Sequence, residues 1–408
     1  MGMISKDKTF NIVRTFPFGE SMKVGEAIYW IGARNPVHKE FEFIIRAEYG
    51  TIYNSYLILD DKVCVIDGVP RKFGEIWVNK IKELTDKVDY FILTHSSPYK
   101  SESLEFLLRE FPNVKVLGCK KCLENLKNIV NMDFEGKVVE SRERIDIGRG
   151  ELVFVDMPYW PWPDTFMIYY PPESALFSAG GFSANYCEEG IMLSKIANHR
   201  KYREAFKNYF TYVLYPNKKY IKAGLRKIYA LYIKRIYPAY GPVIDVDVER
   251  AIESYENWII PEHREVAIIY VSSYGYTESM ARAIARGIRM VGVDARVINA
   301  EEHSIEDIIS AMTVAKGILL GTSTVHNFIP KPMMEVLASL PLIPDWKDKK
   351  IGIFGVETYS GKGLDALEKL LRVMDIKHIF GKIKVKFKPS PEDLENCREF
   401  GRSFAAII

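Results

Sequence analysis

The chain has 408 residues, of which 48% are hydrophobic and 27% are charged. This length exceeds one ordinary core, so we expect two domains, and the composition excludes a disordered protein. The net charge of +3 is too small to indicate nucleic-acid binding by itself. An odd, scattered set of five cysteines, no signal peptide and no bilayer-length apolar run together predict a cytoplasmic protein.

The first 260 residues are typical of short strands with interspersed helices. Residues 55–68 alternate into an Asp-Asp turn and back out, which predicts a hairpin. Further strands are expected at 90–94, 114–119, 151–158 and 175–180, and amphipathic helices at 101–111 and 120–130. This order predicts an αββα sandwich as the first domain.

The stretch 201–236 is aromatic and basic, and we expect it to be helical. Its cations have two interpretations, a solvated face or a dock for an acidic electron-transfer partner or polyanion. We favour the solvated face, because five apolar positions fit a buried helical stripe. These positions are Leu225, Ile228, Tyr229, Tyr232 and Ile236.

From residue 261 the pattern changes to strict alternation of strands and helices. Strands are expected at 266–271, 295–299, 317–322, 350–356 and 382–387, with helices between them and at the end. Five parallel strands joined by crossover helices predict a doubly wound sheet. We therefore expect two domains, 1–260 and 261–408.

Three strand ends of this second domain are followed by polar loops, which predicts a ligand site at one edge of the sheet. The first loop enters a helix N-terminus, which binds a phosphomonoester without a basic side chain. It has neither the GxGxxG pattern nor a P-loop lysine, which argues against dinucleotides and ATP. The alternative is a response-regulator-like domain whose loops are merely polar. The candidate residues are Ser272, Ser273, Tyr274, Gly275, Tyr276, Thr277, Thr322, Ser323, Thr324, His326, Asn327, Val356, Glu357, Thr358, Tyr359, Ser360 and Gly361.

The three loops resemble flavodoxin. The patterns S-x-Y-G-x-T, G-T-S-T-x-x-N and F-G-x-x-x-Y-S-G occur in order on the expected elements. The resemblance covers residues 266–408 and implies that the second domain binds FMN, with Tyr359 covering the flat ring system.

The whole chain resembles the flavodiiron proteins (A-type flavoproteins). GTIYNSYLI at 50–58, VIDGV at 65–69, IYWIG at 28–32 and PAYGP at 238–242 have close counterparts in that family. The resemblance implies a metallo-β-lactamase-like first domain and a flavodoxin-like second domain. It also implies a head-to-tail homodimer, in which the flavin of one subunit faces the pocket of the other.

The positions that hold the iron ligands in that family hold other residues here, with one exception. The loop after the strand at 90–94 keeps His95 but carries Ser97, Tyr99 and Lys100 at the other ligand positions. Ammonium, phenol and hydroxyl groups are poor ligands for iron at neutral pH. The remaining three positions hold Pro161, Gly180 and Tyr240. We therefore expect no metal, with bulky residues filling the pocket.

Two other features permit a metal or redox interpretation. Glu102 lies one helical turn from the strand end and is close enough in sequence to approach His95. Cys119 and Cys122 form a CxxC at the start of a helix, where the helix dipole lowers a thiol pKa. No second pair of ligands completes a zinc site. We therefore favour a structural interpretation, in which the two cysteines lie on one helical turn and one of them faces the core.

Two functions remain open from the sequence. The first is an FMN-dependent oxidoreductase or electron carrier, not a hydrolase, served by an unknown redox partner protein or an NAD(P)H reductase. In the family's dimer His95, Tyr99, Lys100 and Tyr240 would line a pocket above the partner's flavin. The second is a non-catalytic FMN-binding scaffold or regulator, whose metal-free first domain serves dimerisation.

Overall fold

The computed structural model describes residues 20–37, 40–41, 45–259, 264–324, 326–343, 346–357 and 362–408. The chain divides into two compact units, Met1–Ile259 and Ile260–Ile408. Within the described ranges no helix combines the length and the apolar character needed to cross a membrane.

The first unit contains a mixed sheet of seven strands. The hairpin predicted at 55–68 is present, with its two strands antiparallel, and the three strands that follow it in the sheet run parallel. In spatial order the strands are Met22–Lys23, Ile28–Trp30, Tyr56–Ile58, Cys64–Ile66, Tyr90–Ile92, Lys115–Gly118 and Glu135–Val138.

A second sheet of five strands completes the sandwich. Its first four strands are antiparallel neighbours, and the last pairs parallel with the fourth. The strands are Arg144–Asp146, Glu151–Asp156, Phe166–Tyr170, Ala175–Phe177 and Arg235–Tyr237. Two short ladders pair Ala33–Asn35 with Thr51–Tyr53, and Glu40–Phe41 with Ile45–Arg46.

Apolar side chains from both sheets form the inner core. Ile58 and Ile66 of the first sheet share one cluster with Phe154 and Ile168 of the second. Helices pack on the outer faces, where Trp77 joins Phe91 in a second cluster. The predicted αββα sandwich is therefore confirmed. Its helices are Gly74–Leu84, Pro98–Ser101, Leu104–Glu110, Lys120–Val130, His199–Tyr209, Lys218–Ile228 and Val248–Ile259.

The prediction of one helical stretch through residue 236 is wrong at its end. The helix Lys218–Ile228 stops early, and Arg235–Tyr237 is a strand. Leu225, Ile228 and Ile236 are buried, but Tyr229 is 52% and Tyr232 70% exposed. The chain leaves the helix before Tyr229 to reach the edge of the second sheet, so the two tyrosines do not continue the helical stripe.

The second unit is a doubly wound parallel sheet, as predicted. In spatial order its strands are Asp294–Asn299, Glu265–Tyr270, Gly317–Thr322, Lys350–Glu357 and Ile379–Lys386. Alternate residues of the second strand supply the cores on opposite faces, Val266 and Ile268 on one and Ala267 and Ile269 on the other. The helices are Tyr276–Arg289, Ile305–Val314, Lys331–Ser339, Lys362–Val373 and Pro391–Ala405.

Candidate functional site

An exposed loop joins the first strand of the second unit to a long helix. We call residues 271–275 the first loop, which leads into Tyr276–Arg289. Gly275, the last residue before the helix, has a φ of +75°, and nothing lies within 4 Å of the place a Cβ would take. Glycine adopts this left-handed conformation without strain. The helix start is therefore open to an approaching ligand.

Two main-chain donors near this helix start have protein partners, whereas, among the described residues, the N–H groups of Tyr276 and Thr277 remain for an anion. Gly275 provides no side-chain cap, although Ser272 Oγ accepts a hydrogen bond from Glu278 N at 3.2 Å. Ser272 N donates a long bond of 3.4 Å to the carboxylate of Glu301. The first-turn N–H groups have no partner inside a helix, and they lie at the positive end of its dipole. This arrangement suits a phosphate group.

A second polar loop adjoins the first. It follows Gly317–Thr322, which pairs in parallel with the strand before the first loop. Ser273 Oγ lies 3.2 Å from Ser323 Oγ, so the two loops touch. Thr324 Oγ1 accepts from Gly363 N at 3.3 Å, which ties this loop to the helix Lys362–Val373. The predicted convergence of these two loops is present.

The third predicted loop is only partly described. Thr358, Tyr359, Ser360 and Gly361 lie outside the described residues. Before them, Val356 is buried in the core and Glu357 Oε1 accepts from Lys384 Nζ at 2.6 Å. The side chains of Val356 and Glu357 therefore have protein partners, and Glu357 O accepts a hydrogen bond from Phe387 N at 2.8 Å.

The described residues fit a phosphomonoester that carries a flat ring. His326 and Asn327 are exposed and have φ values of 49° and 61°, so their loop curls at the sheet edge. Tyr274 is 75% exposed, with its ring centroid 6.2 Å from that of Tyr276. An exposed aromatic ring beside a phosphate site is suited to stack on a planar heterocycle.

In the first unit, Lys100 occupies the region of the expected metal ligands. Its side chain is 2% exposed, and Nζ donates to Asp67 Oδ2 at 2.8 Å and to Thr94 Oγ1 at 2.9 Å. Nζ also lies 3.4 Å from His95 Nδ1 and 5.9 Å from the ring centroid of Tyr240. We call Asp67, Thr94, His95, Lys100 and Tyr240 the His95 cluster.

The sequence places Lys100 in a pocket above a partner's flavin, and within this chain its side chain is buried. The ammonium points inward because Asp67, which is 4% exposed, provides the opposite charge. Burial lowers the pKa of the Lys100 amine from its usual value, and the Asp67 carboxylate acts in the opposite direction. A buried cation without such a partner would be costly, so the ion pair dictates the direction of the side chain.

His95 is a buried, neutral side chain in this cluster. It is 1% exposed, and its ring stacks on Trp162 with centroids 5.8 Å apart. Burial, and after it the charge of Lys100, lower the pKa of His95 well below 6.5. An adjacent ammonium also opposes a metal cation electrostatically. The one expected ligand that this loop retains is therefore poorly placed to bind iron.

Pro161 and Gly180 fill another part of the ligand region together. A Cβ at position 180 would overlap Cδ of Pro161, so only glycine fits against the proline ring. These two of the expected ligand positions thus hold a mutually packed, non-ligating pair. Neither residue carries a side-chain donor atom.

Aromatic rings close the remaining side of the region. The Tyr53 ring lies 5.8 Å from that of Tyr99 and 6.0 Å from that of Tyr240. Tyr240 is 3% exposed, whereas Tyr99 is half-buried. The expectation that Tyr99 and Tyr240 are bulky occupants of the region agrees with these contacts.

Other donors do not rebuild a metal site here. Glu102 accepts from Arg71 N at 3.4 Å, and its predicted approach to His95 is not seen. Ser97 begins the short helix Pro98–Ser101, and its buried Oγ has no hydrogen-bond partner among the described residues. Over the same part of the chain, no three His, Cys, Asp or Glu side chains are grouped so that they could hold a metal ion.

The CxxC cysteines have structural roles. Cys119 caps the helix Lys120–Val130, with Sγ accepting from Cys122 N at 3.3 Å, and Cys122 is fully buried. Burial raises the pKa of both thiols. The expected lowering of the thiol pKa is not seen, because burial outweighs the backbone hydrogen bond from Cys122 that lowers the pKa of Cys119. The favoured interpretation, one helical turn with one core cysteine, agrees with the structure.

Sequence reasoning missed Asp67 and Thr94 as members of the cluster. Asp67 accepts from Thr94 N at 2.8 Å as well as from Lys100. Its φ of 55° is rare for a residue other than glycine and marks a constrained position. A buried lysine requires a carboxylate nearby. Asp67 follows a neighbouring strand, so its position in the sequence could have identified it as the partner of Lys100.

Two family descriptions match the chain. Residues 52–241 match "ODP family beta lactamase", and residues 268–401 match "Flavodoxin". The matched ranges fall in the first and the second unit, respectively.

Curated relatives are similar over most of the chain. The flavo-diiron protein FprA2 of Clostridium acetobutylicum is 28% identical, over 95% of this chain and 100% of its own length. The putative diflavin flavoprotein A 3 of a Synechocystis species is 30% identical, over 90% of this chain and 63% of its own length. The chain thus spans all of the first relative but less than two thirds of the second.

Solved structures share the fold. The flavodiiron protein from Giardia intestinalis superposes with a TM-score of 0.80 at 24% identity, covering 95% of this chain and 96% of that one. Rubredoxin oxygen:oxidoreductase from Desulfovibrio gigas gives 0.81 at 22% identity, covering 95% and 98%. At these identities the likeness is one of fold.

Proposed function

Since this chain belongs to the flavodiiron/diflavin flavoprotein family, we propose that it is an FMN-dependent electron-transfer protein that works without a diiron centre. The observation that carries this proposal is the Lys100–Asp67 ion pair, with Nζ 2.8 Å from the carboxylate in the region of the expected iron ligands. A buried ammonium that already has an anionic partner neither ligates a metal nor tolerates one beside it.

The cofactor of the second unit is FMN, which flavodoxin domains and flavodiiron proteins bind. We propose that the first loop and the start of the helix Tyr276–Arg289 hold its phosphate. Ser323 and Asn327 of the second loop would contact the rest of the ligand, and Tyr274 would shield one face of its ring. When bound, FMN accepts and passes one or two electrons, and the protein tunes its potential and access.

The first unit does not supply the donors of a diiron site. Each iron needs several nitrogen and oxygen ligands, and the residues at the expected positions offer one neutral imidazole. Pro161 and Gly180 offer no donor and pack against each other. Oxygen or nitric oxide reduction at iron is therefore not part of the proposed activity.

A second candidate function is a flavin-binding scaffold without turnover. It is favoured by the closed packing of the His95 cluster, in which Lys100, His95 and Tyr240 are each 3% exposed or less. In that case the first unit serves as a folded platform, and FMN is a structural or sensing ligand.

We also propose a head-to-tail homodimer, with electrons supplied by a reductase or another redox protein. The support is the membership of the family together with the two-unit organisation. The inward direction of Lys100 removes it as a charge that faces a partner's flavin. The cytoplasmic location expected from the sequence stays a prediction.

Steady-state turnover separates electron transfer from the scaffold function. The FMN-loaded chain is reduced chemically without oxygen and mixed with one-electron acceptors such as ferricyanide and cytochrome c. An electron carrier re-oxidises in repeated cycles at a rate that iron chelation leaves unchanged. A flavin that is reduced only slowly, or that never passes electrons on, supports the scaffold. A rate that rises with added iron contradicts the proposal.

A further inference from the structure

A small cavity in the first unit lies apart from the His95 cluster, between the beginnings of two helices. Arg203 comes from the first turns of His199–Tyr209, and Arg250 comes from the first turn of Val248–Ile259. The cavity has a volume of about 70 Å³. A cavity needs roughly 10–15 Å³ of this kind of volume to hold one water molecule, so the space suits a group of about five heavy atoms.

The cavity wall has an excess of positive charge. Arg203 and Arg250 both line it, and among the described residues neither guanidinium forms an ion pair or a hydrogen bond. Some helical surface arginines have a carboxylate partner on their own helix, as Arg282 has Glu278 at 2.6 Å, but in the described part of the chain Arg203 and Arg250 do not. Both cavity arginines therefore keep their donors available to a ligand.

A single carboxylate faces these two cations. Asp247, just before the second helix, also lines the cavity, so two arginines and one aspartate give the wall a formal charge of +1. The balance favours an anion over a cation or a neutral ligand.

We propose that this cavity binds a phosphate group. Two guanidinium forks from different helices match the oxygens of a phosphate, which they bind through paired charge-assisted hydrogen bonds. The positive ends of the two helices add to the attraction. Leu193 and Phe206 form an apolar part of the same wall, and they would contact an organic group carried by the phosphate.

Calorimetry on the FMN-loaded full chain tests the proposal. The flavin site is occupied in this sample, so heat from added inorganic phosphate reports a second site. Arg203→Gln and Arg250→Gln should each weaken phosphate binding about tenfold, because each removes charge-assisted hydrogen bonds. Arg200→Gln is the matched control, since it removes one positive charge from the same helix at an exposed residue that does not line the cavity.

A second titration, with adenosine monophosphate, tests whether the cavity binds free phosphate or an organic phosphate monoester. Tighter binding than inorganic phosphate assigns the cavity to an organic monoester, and equal or weaker binding assigns it to free phosphate. Both results require the loss in the two arginine variants, with FMN content and tryptophan fluorescence unchanged. No saturable heat at millimolar phosphate, or equal affinity in the double arginine variant and the control, overturns the proposal.

Discussion

The two regions that the family uses for cofactors differ sharply in this chain. In the first unit the expected ligand positions are packed, and the Lys100 ammonium is held 2.8 Å from Asp67. In the second unit the first loop is exposed, and the space beside Gly275 is open. In the first unit, contacts between protein side chains stabilise the region where the family binds metal. In the second unit, the first loop keeps hydrogen-bond donors for a ligand.

Removing the buried cation should have the largest effect on this comparison. Lys100→Met leaves the Asp67 carboxylate buried without its charge partner, so we expect a loss of about 3–5 kcal/mol in the free energy of unfolding. Urea unfolding followed by tryptophan fluorescence measures it, because five of the six tryptophans lie in the first unit.

The control for this variant is Lys121→Met. The Lys121 side chain is 68% exposed, so its replacement should change stability by less than about 0.5 kcal/mol. Adding Asp67→Asn to Lys100→Met should recover part of the loss, because no lone charge then remains buried. Equal stability of Lys100→Met and Lys121→Met would mean that the ion pair does not hold the region together.

A negative charge at the start of the FMN helix should abolish cofactor retention. Thr277→Asp places a carboxylate at a buried position, 1% exposed, beside the expected phosphate. We expect FMN to bind about 100-fold more weakly, since like charges repel at a site that favours anions through its main-chain donors. Flavin fluorescence during titration of the apoprotein measures the change.

Thr277→Ser keeps the hydroxyl at the same place and serves as the matched variant, with FMN affinity close to that of the unchanged chain. Circular dichroism confirms that both variants keep their helices. Normal FMN retention by Thr277→Asp would place the phosphate elsewhere.

The Pro161–Gly180 contact should be sensitive to a single methyl group. Gly180→Ala puts a Cβ into Cδ of Pro161, and overpacking of this kind costs about 1–3 kcal/mol. Gly136→Ala is the control, because its Cβ would meet its nearest neighbour at an ordinary 3.4 Å. If both alanine variants unfold at the same urea concentration, the packing at Gly180 is looser than the structure indicates.

The smallest effect concerns pH. Because burial lowers the pKa of His95 well below 6.5, the unfolded chain binds a proton there that the folded chain does not. Stability from this group is therefore complete above pH 6.5 and is lost as the pH falls below it, by at most about 1.4 kcal/mol per pH unit. His95→Gln should remove this part of the slope, whereas the exposed His303→Gln should not. Identical pH profiles for the two variants would contradict a neutral, buried His95.

Much of the fold could be predicted from the sequence because its signals are local. The alternation of Val266, Ala267, Ile268 and Ile269 between two faces is a property of any strand, and it indicates the doubly wound sheet. The end of the basic helical stretch could not be predicted in the same way. Arg235–Tyr237 joins the second sheet through pairing with a distant strand, which overrides the local helical pattern.

The candidate sites differ in the same respect. The first and second loops of the FMN region could be predicted because each follows a strand directly in sequence. The direction of Lys100 could not, because its partner, Asp67, lies 33 positions earlier and belongs to another strand end. The residues at the ligand positions predicted the loss of metal-ligating side chains. What stabilises the region in place of a metal is the long-range ion pair between Lys100 and Asp67, which the sequence did not indicate.

A flavoprotein that works without iron is tested most directly by the ratio of iron to FMN in the chain purified from iron-supplemented growth. Metal analysis by mass spectrometry and release of the flavin by denaturation give the two quantities from one sample. We expect one FMN per chain and iron at background level, with the same result for Lys121→Met. Iron at one or two equivalents per chain, bound together with FMN, would contradict a function without a diiron centre.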